Sequence, residues 1–200
     1  MATNTQFTTD QTASSATAEF DLNAAGLVTV QTTRFGTLEI EPERVMRFDG
    51  GLLGFADATR FALIETGDDS YFFWLQSLHD PALAFVVCDP QSFVPGYTVA
   101  EVPLRAECRE ALGIDADARG EELAGQAQVL TICNRVGDWL TGNLLGPLVV
   151  NVHTFVGQQI VLTEKRWSTR QPLMRLGSDL SGSGDVAGDG QIEMQRQRAA

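Results

Sequence analysis

The sequence has few of the residues on which most enzymes and nucleic-acid-binding proteins depend. Its 200 residues include two histidines, three cysteines and a single lysine, and 14 basic residues stand against 26 acidic ones, for a formal net charge of −12. This balance disfavours direct nucleic-acid binding, because phosphate contacts need lysine and arginine. The shortage of histidine and cysteine limits catalysis and metal binding. We therefore predict no enzyme activity, no metal and no cofactor.

Long apolar runs are also missing. None approaches the roughly 20 residues that a membrane-spanning helix needs, and Met1–Asp21 has no basic segment followed by an apolar one, as a secretory signal would. These absences predict a cytoplasmic protein without membrane association. Hydrophobic residues still make up 44% of the chain, which is enough for the core of one domain.

The three cysteines form no C-x-x-C motif and cannot all pair. Cys88 and Cys133 lie within apolar runs, and we expect both to be buried as small hydrophobic residues. No basic neighbour in the sequence indicates a lowered thiol pKa, so a reactive cysteine is not predicted.

Two motifs resemble functional sites but lack their context. Ser77, His79 and Asp80 are the residue types of a catalytic triad, yet neighbours this close in a strand and turn cannot form the required line of groups. Residues 182–187 match a loose dinucleotide-binding pattern, but no strand precedes them and no amphipathic helix follows. We interpret the first as a turn and the second as part of a linker.

Composition divides the chain into three parts. Residues 1–26 are rich in threonine, alanine, serine and glutamine, and residues 177–200 in glycine, serine and aspartate. Neither has a periodic apolar face, so we predict disordered tails around one folded domain at residues 27–176.

The folded part carries the pattern of a mainly β protein. Two apolar runs around residues 71–88 are each closed by an Asp-Pro pair, which is typical of strands that end in turns. Residues 67–70 are a predicted turn. The spacing of these short apolar segments predicts a compact antiparallel barrel-like β fold. The predicted strands cover residues 28–32, 36–41, 45–48, 60–65, 71–77, 83–88, 127–134, 139–143, 148–153 and 158–163.

One short helix is predicted after Pro103, which suits a first helical turn. Leu104, Cys108 and Leu112 then recur at four-residue spacing, and Gly113 ends the helix. This narrow apolar stripe indicates a helix that covers one open end of the sheet; a partner-binding groove is the alternative. Residues 115–122 are interpreted as a polar loop with weak helical tendency.

Five motifs, in order, resemble the bacterial flagellar assembly factor family FliW. They are the opening hairpin 34–40, the glycine-rich turn 48–55, the run 77–83 followed by Phe85-Val86-Val87, the pair Thr141–Leu144 and Pro147–Asn151, and the closing Arg170–Leu173. The similarity extends from about Val28 to Leu176 without a large gap. Five motifs in the same order are far more specific than any one of them.

The resemblance implies a non-enzymatic regulator of flagellar assembly. Members of this family bind flagellin in the cytoplasm and, once flagellin is exported, bind the translational repressor CsrA, which then releases the flagellin message. Flagellin and CsrA are therefore the expected partners, and the acidic character of the chain suits a basic, RNA-binding partner. We expect a monomer.

Aromatic residues at predicted strand ends and loops are the candidates for a partner-binding surface. They are Phe72, Phe73, Trp74, Phe93, Tyr97 and Trp139, together with Asn143. The same residues are equally well explained as core and turn anchors. The alternative function is a small ligand-binding or catalytic β-barrel with an internal cavity, for which a deep pocket with convergent polar groups would be the sign.

Overall fold

The computed structural model describes residues 22–65 and 71–176, and within them the chain is mainly β. The strands are β1 Val28–Thr32, β2 Gly36–Ile40, β3 Met46–Arg47, β4 Arg60–Glu65, β5 Phe72–Ser77, β6 Ala84–Cys88, β7 Ala127–Val136, β8 Trp139–Gly142, β9 Leu148–Asn151, β10 Gly157–Gln159 and β11 Gln171–Arg175. The α-helices are α1 Ala106–Leu112 and α2 Gly120–Gln126, and 3₁₀ turns cover Pro42–Arg44, Pro90–Ser92 and Val99–Glu101.

Strands β3 to β11 form one curled antiparallel sheet. Its order is β10-β9-β7-β6-β5-β4-β3, and β8 lies between β7 and β11. At the β3 end, the Arg47 amide donates a hydrogen bond to the Phe155 carbonyl (2.9 Å), and Arg47 forms a parallel bridge with Val156. This contact curls the sheet into a half-barrel, which confirms the predicted barrel-like β fold.

The two faces of the sheet bury different cores. The inner face encloses a cluster drawn from β3 to β9 that includes Phe61, Leu75, Val87 and Leu148. On the outer face, α1, α2 and the 90–102 segment cover β7, β9 and β10 through Leu112, Leu123, Val129 and others. The separate β1–β2 hairpin covers the start of β4 and the end of β5 through Val28, Val30 and Ile40 against Ala62 and Leu78.

The helical region differs from the prediction. Helix α1 begins at Ala106, so Pro103 lies before it, but Gly113 ends the helix as predicted, in a left-handed conformation with φ of 65°. The sequence predicts one short helix, and the structure corrects this to two. Helix α2 overlaps the predicted polar loop 115–122, and it forms because Leu123 is buried in the outer core.

Other differences concern the ends of the domain. Each of the ten predicted strands has a counterpart, but β11 was not predicted as a strand. Within the predicted N-terminal tail, Leu22 forms a bridge with Val28, and the Asn23 side chain accepts hydrogen bonds from the amides of Ala25 and Leu27. The predicted turn 67–70 and the predicted tails at 1–21 and 177–200 lie outside the described residues.

Candidate partner-binding surface

The aromatic residues of β5 divide between the two faces of the sheet, because successive strand side chains point in opposite directions. Phe73 packs against the inner core. Phe72 and Trp74 lie on the outer face, where Trp74 pairs with Ile64 of β4 on one side and Val86 of β6 on the other. Of the three neighbouring candidates, Phe72 and Trp74 therefore share a surface, and Phe73 does not.

Aromatic rings continue this outer face beyond β5. Phe93 stacks on Phe72 with centroids 5.3 Å apart, and Tyr71 meets Phe93 edge-on at 5.8 Å. At the other end, Phe35 meets Trp74 edge-on at 5.9 Å. Contacts of this kind prefer the edge-to-face and offset geometries seen here, and each adds about 0.5–1.5 kcal/mol beyond burial.

Between these rings lies a stretch of sheet that belongs to none of the buried clusters of residues 22–65 and 71–176. We call it the outer surface; its members are Ile64, Phe72, Trp74, Ala84 and Val86. All five are only partly buried, and none belongs to any of the three buried clusters. A partly exposed apolar sheet face is suited to a protein partner.

One arginine contacts the outer surface, and another lies on the neighbouring strand β7. The Arg34 guanidinium lies over the Trp74 ring, 4.2 Å from its centroid. Arg135 lies two residues after Cys133, the partner of Val86, and its Nε donates to the Gly137 carbonyl (3.0 Å). Both side chains are exposed.

The side chain of Tyr97 is not accessible to a partner. Its side chain is fully buried in the outer core, its hydroxyl donates to the Leu144 carbonyl (2.7 Å), and its ring meets Trp167 edge-on at 4.8 Å. Burial raises the pKa of the Tyr97 hydroxyl above its usual value. In the described residues, Tyr97 acts as a core anchor.

Trp139 and Asn143 lie away from the outer surface. Trp139 is 44% exposed and pairs with the equally exposed Val136, on the opposite face of the sheet from Trp74. Asn143 follows β8, its amide donates to the Ile132 carbonyl (3.0 Å), and its buried Oδ1 has no hydrogen-bond partner within the described residues. Of the seven candidate residues, Phe72, Trp74 and Phe93 therefore lie together on the outer face of the sheet. The other four lie elsewhere.

Sequence reasoning missed several members of this region. Arg34 and Phe35 were identified only as a hairpin turn, and Ile64 and Val86 only as strand residues. The sequence did contain one signal for these contacts, an arginine followed by an aromatic residue at the hairpin tip. Neither residue type is required to form a turn, so the pair indicates a contact elsewhere. Their contact with Trp74 spans some 40 residues of chain, and it follows from the packing of the hairpin on the sheet.

The burial of Cys88 and Cys133 confirms the prediction for these two residues. Cys88 and Cys133 are buried, with their Sγ atoms 3.5 Å apart on neighbouring strands. Hydrogen bonding to the Cys133 thiol, followed by burial, raises the pKa of the Cys88 thiol. A thiol held in its protonated form is a poor nucleophile.

One open pocket of about 320 Å³ lies elsewhere, lined by residues 50–54 with Ala56 and by Gly157, Gln158 and Gln159. Four of its nine lining residues are glycine. In the described part of the chain, no three histidine, cysteine or carboxylate side chains are grouped so as to hold a metal ion. Nor does either helix there have the length and apolar content to span a bilayer.

Comparison with known proteins identifies relatives over most of the chain. A family model described as "FliW protein" matches residues 29–173. The flagellar assembly factor FliW of Geotalea uraniireducens is 39% identical over 143 residues, which are 72% of this chain and 82% of that protein. The one from Bdellovibrio bacteriovorus is 36% identical over 144 residues, covering 72% and 78% of the two chains.

The structural comparison agrees with the sequence comparisons. A crystal structure of the flagellar assembly factor FliW aligns with a TM-score of 0.62 and 31% identity, covering 72% of this chain and 96% of that one. The span that the family model matches, residues 29–173, includes the outer surface. The chain belongs to the FliW family of flagellar assembly factors.

Proposed function

We propose that this protein is a cytoplasmic, non-enzymatic regulator that binds flagellin and, when flagellin is exported, binds CsrA and so relieves repression of flagellin translation. The observation that carries the proposal is the partly exposed apolar sheet face around Trp74 in a FliW-family domain. A protein that works through partners needs such a face, whereas an enzyme needs a pocket with convergent polar groups.

The interior of the half-barrel supports a binding role over the ligand-cavity alternative. Phe61, Leu75 and Val87 fill the inner face without exposed area. The described pocket lies at the glycine-rich turn rather than within the barrel, and apart from two glutamines its lining carries no polar side chain. A packed interior favours the outside of the sheet as the partner-binding site.

Charge supports the choice of an RNA-binding partner. The chain carries a net charge of −12, so it attracts basic proteins and repels RNA phosphates at close range. An acidic protein docked beside a basic RNA site lowers the affinity of that site for RNA, because binding free energies of the two ligands are coupled. This mechanism requires no covalent chemistry.

The proposal is tested by measuring the affinity of purified CsrA for a flagellin leader RNA with and without this protein, across a salt series. We expect the protein to weaken RNA binding, the effect to shrink as salt rises, and added flagellin to restore RNA binding. Antagonism that is independent of salt contradicts the electrostatic account. Absence of binding to both proteins in a direct calorimetric assay contradicts the proposal as a whole.

A further inference from the structure

We infer that Cys88 and Cys133 form a redox modification site, at which a hydroperoxide oxidises the two thiols to a reversible intramolecular disulfide. The site lies in the sheet, where β6 and β7 are paired neighbours. It is independent of the proposed function, because it requires no protein partner. The reacting sulfur atoms and the class of oxidant both follow from the position of the two side chains.

The two thiols already lie at reacting distance. Their Sγ atoms are 3.5 Å apart, and groups held about 3–3.5 Å apart are in a near-attack arrangement. The side chains share one face of the sheet, because Cys88 pairs with Thr131 and Cys133 stands two positions further along β7. A disulfide bond is about 2.05 Å long, so its formation shortens the distance between the sulfurs by about 1.5 Å.

Thr131 provides a second observation at the same place. Its side chain is fully buried, and within residues 22–65 and 71–176 its Oγ1 has no hydrogen-bond partner. Its carbonyl oxygen lies 3.6 Å from the Cys133 Sγ. A buried hydroxyl without a partner costs free energy, and a redox role is one reason for such a group in a native protein. The S–OH group of a sulfenic acid at Cys133 would supply the hydrogen bond that the Thr131 hydroxyl lacks in the reduced protein.

Burial determines which oxidants react. Cys88 is 0% exposed and Cys133 6% exposed, so a bulky disulfide has poor access to either sulfur, whereas hydrogen peroxide is little larger than water. Hydrogen bonding to Cys133, followed by burial, raises the pKa of the Cys88 thiol. Cys88 is therefore a poor nucleophile toward external reagents. It reacts with the sulfur beside it because proximity offsets its small thiolate fraction.

The reaction has two steps and consumes one peroxide molecule. The sulfur of Cys133, the more exposed of the two, attacks a peroxide oxygen; the O–O bond breaks, a sulfenic acid forms, and water leaves with the thiol proton. The sulfur of Cys88 then attacks the sulfenic sulfur; the S–O bond breaks, the S–S bond forms, and a second water molecule leaves with the Cys88 proton. The two sulfurs together lose two electrons, and the peroxide gains them.

The neighbouring thiol determines how the oxidation ends. A sulfenic acid that meets a second thiol becomes a disulfide, which added thiols reduce again. A sulfenic acid without such a neighbour is oxidised further to sulfinic acid, which they do not reduce. Cys108 is an internal reference in the same chain, because it lies on α1 and is partly exposed.

The test treats the folded full-length chain with increasing hydrogen peroxide, alkylates the remaining thiols in denaturant, and identifies the cysteine peptides by mass spectrometry. We expect a peptide pair linked through Cys88 and Cys133, with the loss of two hydrogen atoms. It should be at least about ten-fold more abundant than any linked pair that contains Cys108. Dithiothreitol should return both sulfurs to thiols. The dose is raised until Cys108 is oxidised, so that failure of the other two to react is a clear result.

Two controls separate the folded geometry from random pairing. In urea, loop closure favours pairs with Cys108, which lies between the other two cysteines in the sequence, so the Cys88–Cys133 pair should no longer predominate. The variant C88A removes the second thiol. Its Cys133 should proceed to sulfinic acid at the dose that gives a disulfide in the wild type. Circular dichroism checks that C88A is folded.

If Cys88 and Cys133 stay reduced after Cys108 is oxidised, the inference is overturned. The same holds if the linked pairs are distributed alike with and without urea, or if dithiothreitol does not reverse the oxidation. An unmodified Cys133 in folded C88A also overturns it. None of these results bears on the proposed function, which fails if the chain binds neither flagellin nor CsrA.

Discussion

Asn151 shows how one side chain fastens a helix to the sheet. It is buried at the end of β9, and its Nδ2 donates to the carbonyls of Leu112 (2.9 Å) and Gly113 (3.2 Å) at the end of α1. Its Oδ1 accepts from the amides of His153 (2.9 Å) and Thr154 (3.2 Å). The amide group thus satisfies carbonyls that a helix end leaves without partners.

We expect N151A to lower the free energy of unfolding by about 2–4 kcal/mol, because it leaves several buried polar groups without partners. Urea unfolding followed by circular dichroism gives this value. Asn134, an exposed residue of β7, supplies the matched control, and N134A should change the stability by less than about 0.5 kcal/mol. A similar loss in both variants would show that the bonds of Asn151 contribute little.

The sequence predicted the strand that contains Asn151 but not its bonds to the helix. A strand follows from the apolar residues at 148–150, which are local information. The bonds to Leu112 and Gly113 depend on a helix 38 or 39 residues earlier in the chain, and no local pattern encodes that distance. The Arg34–Trp74 contact was unpredictable for the same reason.

At the scale of elements, the β1–β2 hairpin is distinct because it pairs with no strand of the main sheet. It is held by Val28, Val30 and Ile40 against Ala62 and Leu78, and by hydrogen bonds from the Thr33 amide and hydroxyl to the Pro81 carbonyl. Its tip carries Arg34 and Phe35. The hairpin is therefore both a cover for one end of the sheet and a wall of the outer surface.

I40A should destabilise the protein by about 2–5 kcal/mol, the usual cost of truncating a buried isoleucine. We also expect backbone amides of β1 and β2 to exchange with deuterium faster, with a smaller change in β5 and β6, because elements with fewer tertiary contacts open first. Mass spectrometry of peptide fragments measures this. T29A, at an exposed hairpin position, is the control, and uniform acceleration across the sheet would contradict the idea of a separately held hairpin.

The two elements that were not predicted have weak local sequence patterns. Strand β11 contains Pro172 and a bulge between Pro172 and Met174, so it has neither a regular alternation nor the composition of a central strand. Helix α2 has glycines at both ends and one buried residue, Leu123. Each forms because the domain offers it a partner: β8 for the strand and the outer core for the helix.

At the scale of the whole molecule, the curled sheet accounts for the location of the outer surface. The inner face is filled by its own side chains, and the helices and the hairpin cover two parts of the outer face. The strip between them, on β4, β5 and β6, is partly exposed in the described residues. Trp74 stays partly exposed because of this arrangement, whereas the equally aromatic Tyr97 is fully buried.

Closure of the half-barrel depends on Gly157 of β10. A Cβ at this position would lie 2.5 Å from a ring carbon of Phe48, a buried side chain that meets Phe61 edge-on at 5.7 Å. Phe48 directly follows β3, whose Arg47 makes the closing bond to Phe155. Only glycine lets the two ends of the sheet approach this closely.

We expect G157A to lower the free energy of unfolding by about 1–3 kcal/mol, as overpacking of a core usually does. We also expect faster hydrogen exchange of the Arg47 amide, because its hydrogen bond to Phe155 closes the sheet. G125A is the control: its Cβ meets nothing within 4 Å in helix α2, so alanine should stabilise the protein by up to about 1 kcal/mol. Chemical unfolding and NMR hydrogen exchange measure the two effects. The opposite result is a G157A variant that matches the wild type both in stability and in the exchange rate of the Arg47 amide. That result would show that the close approach of Gly157 to Phe48 does not determine closure of the half-barrel.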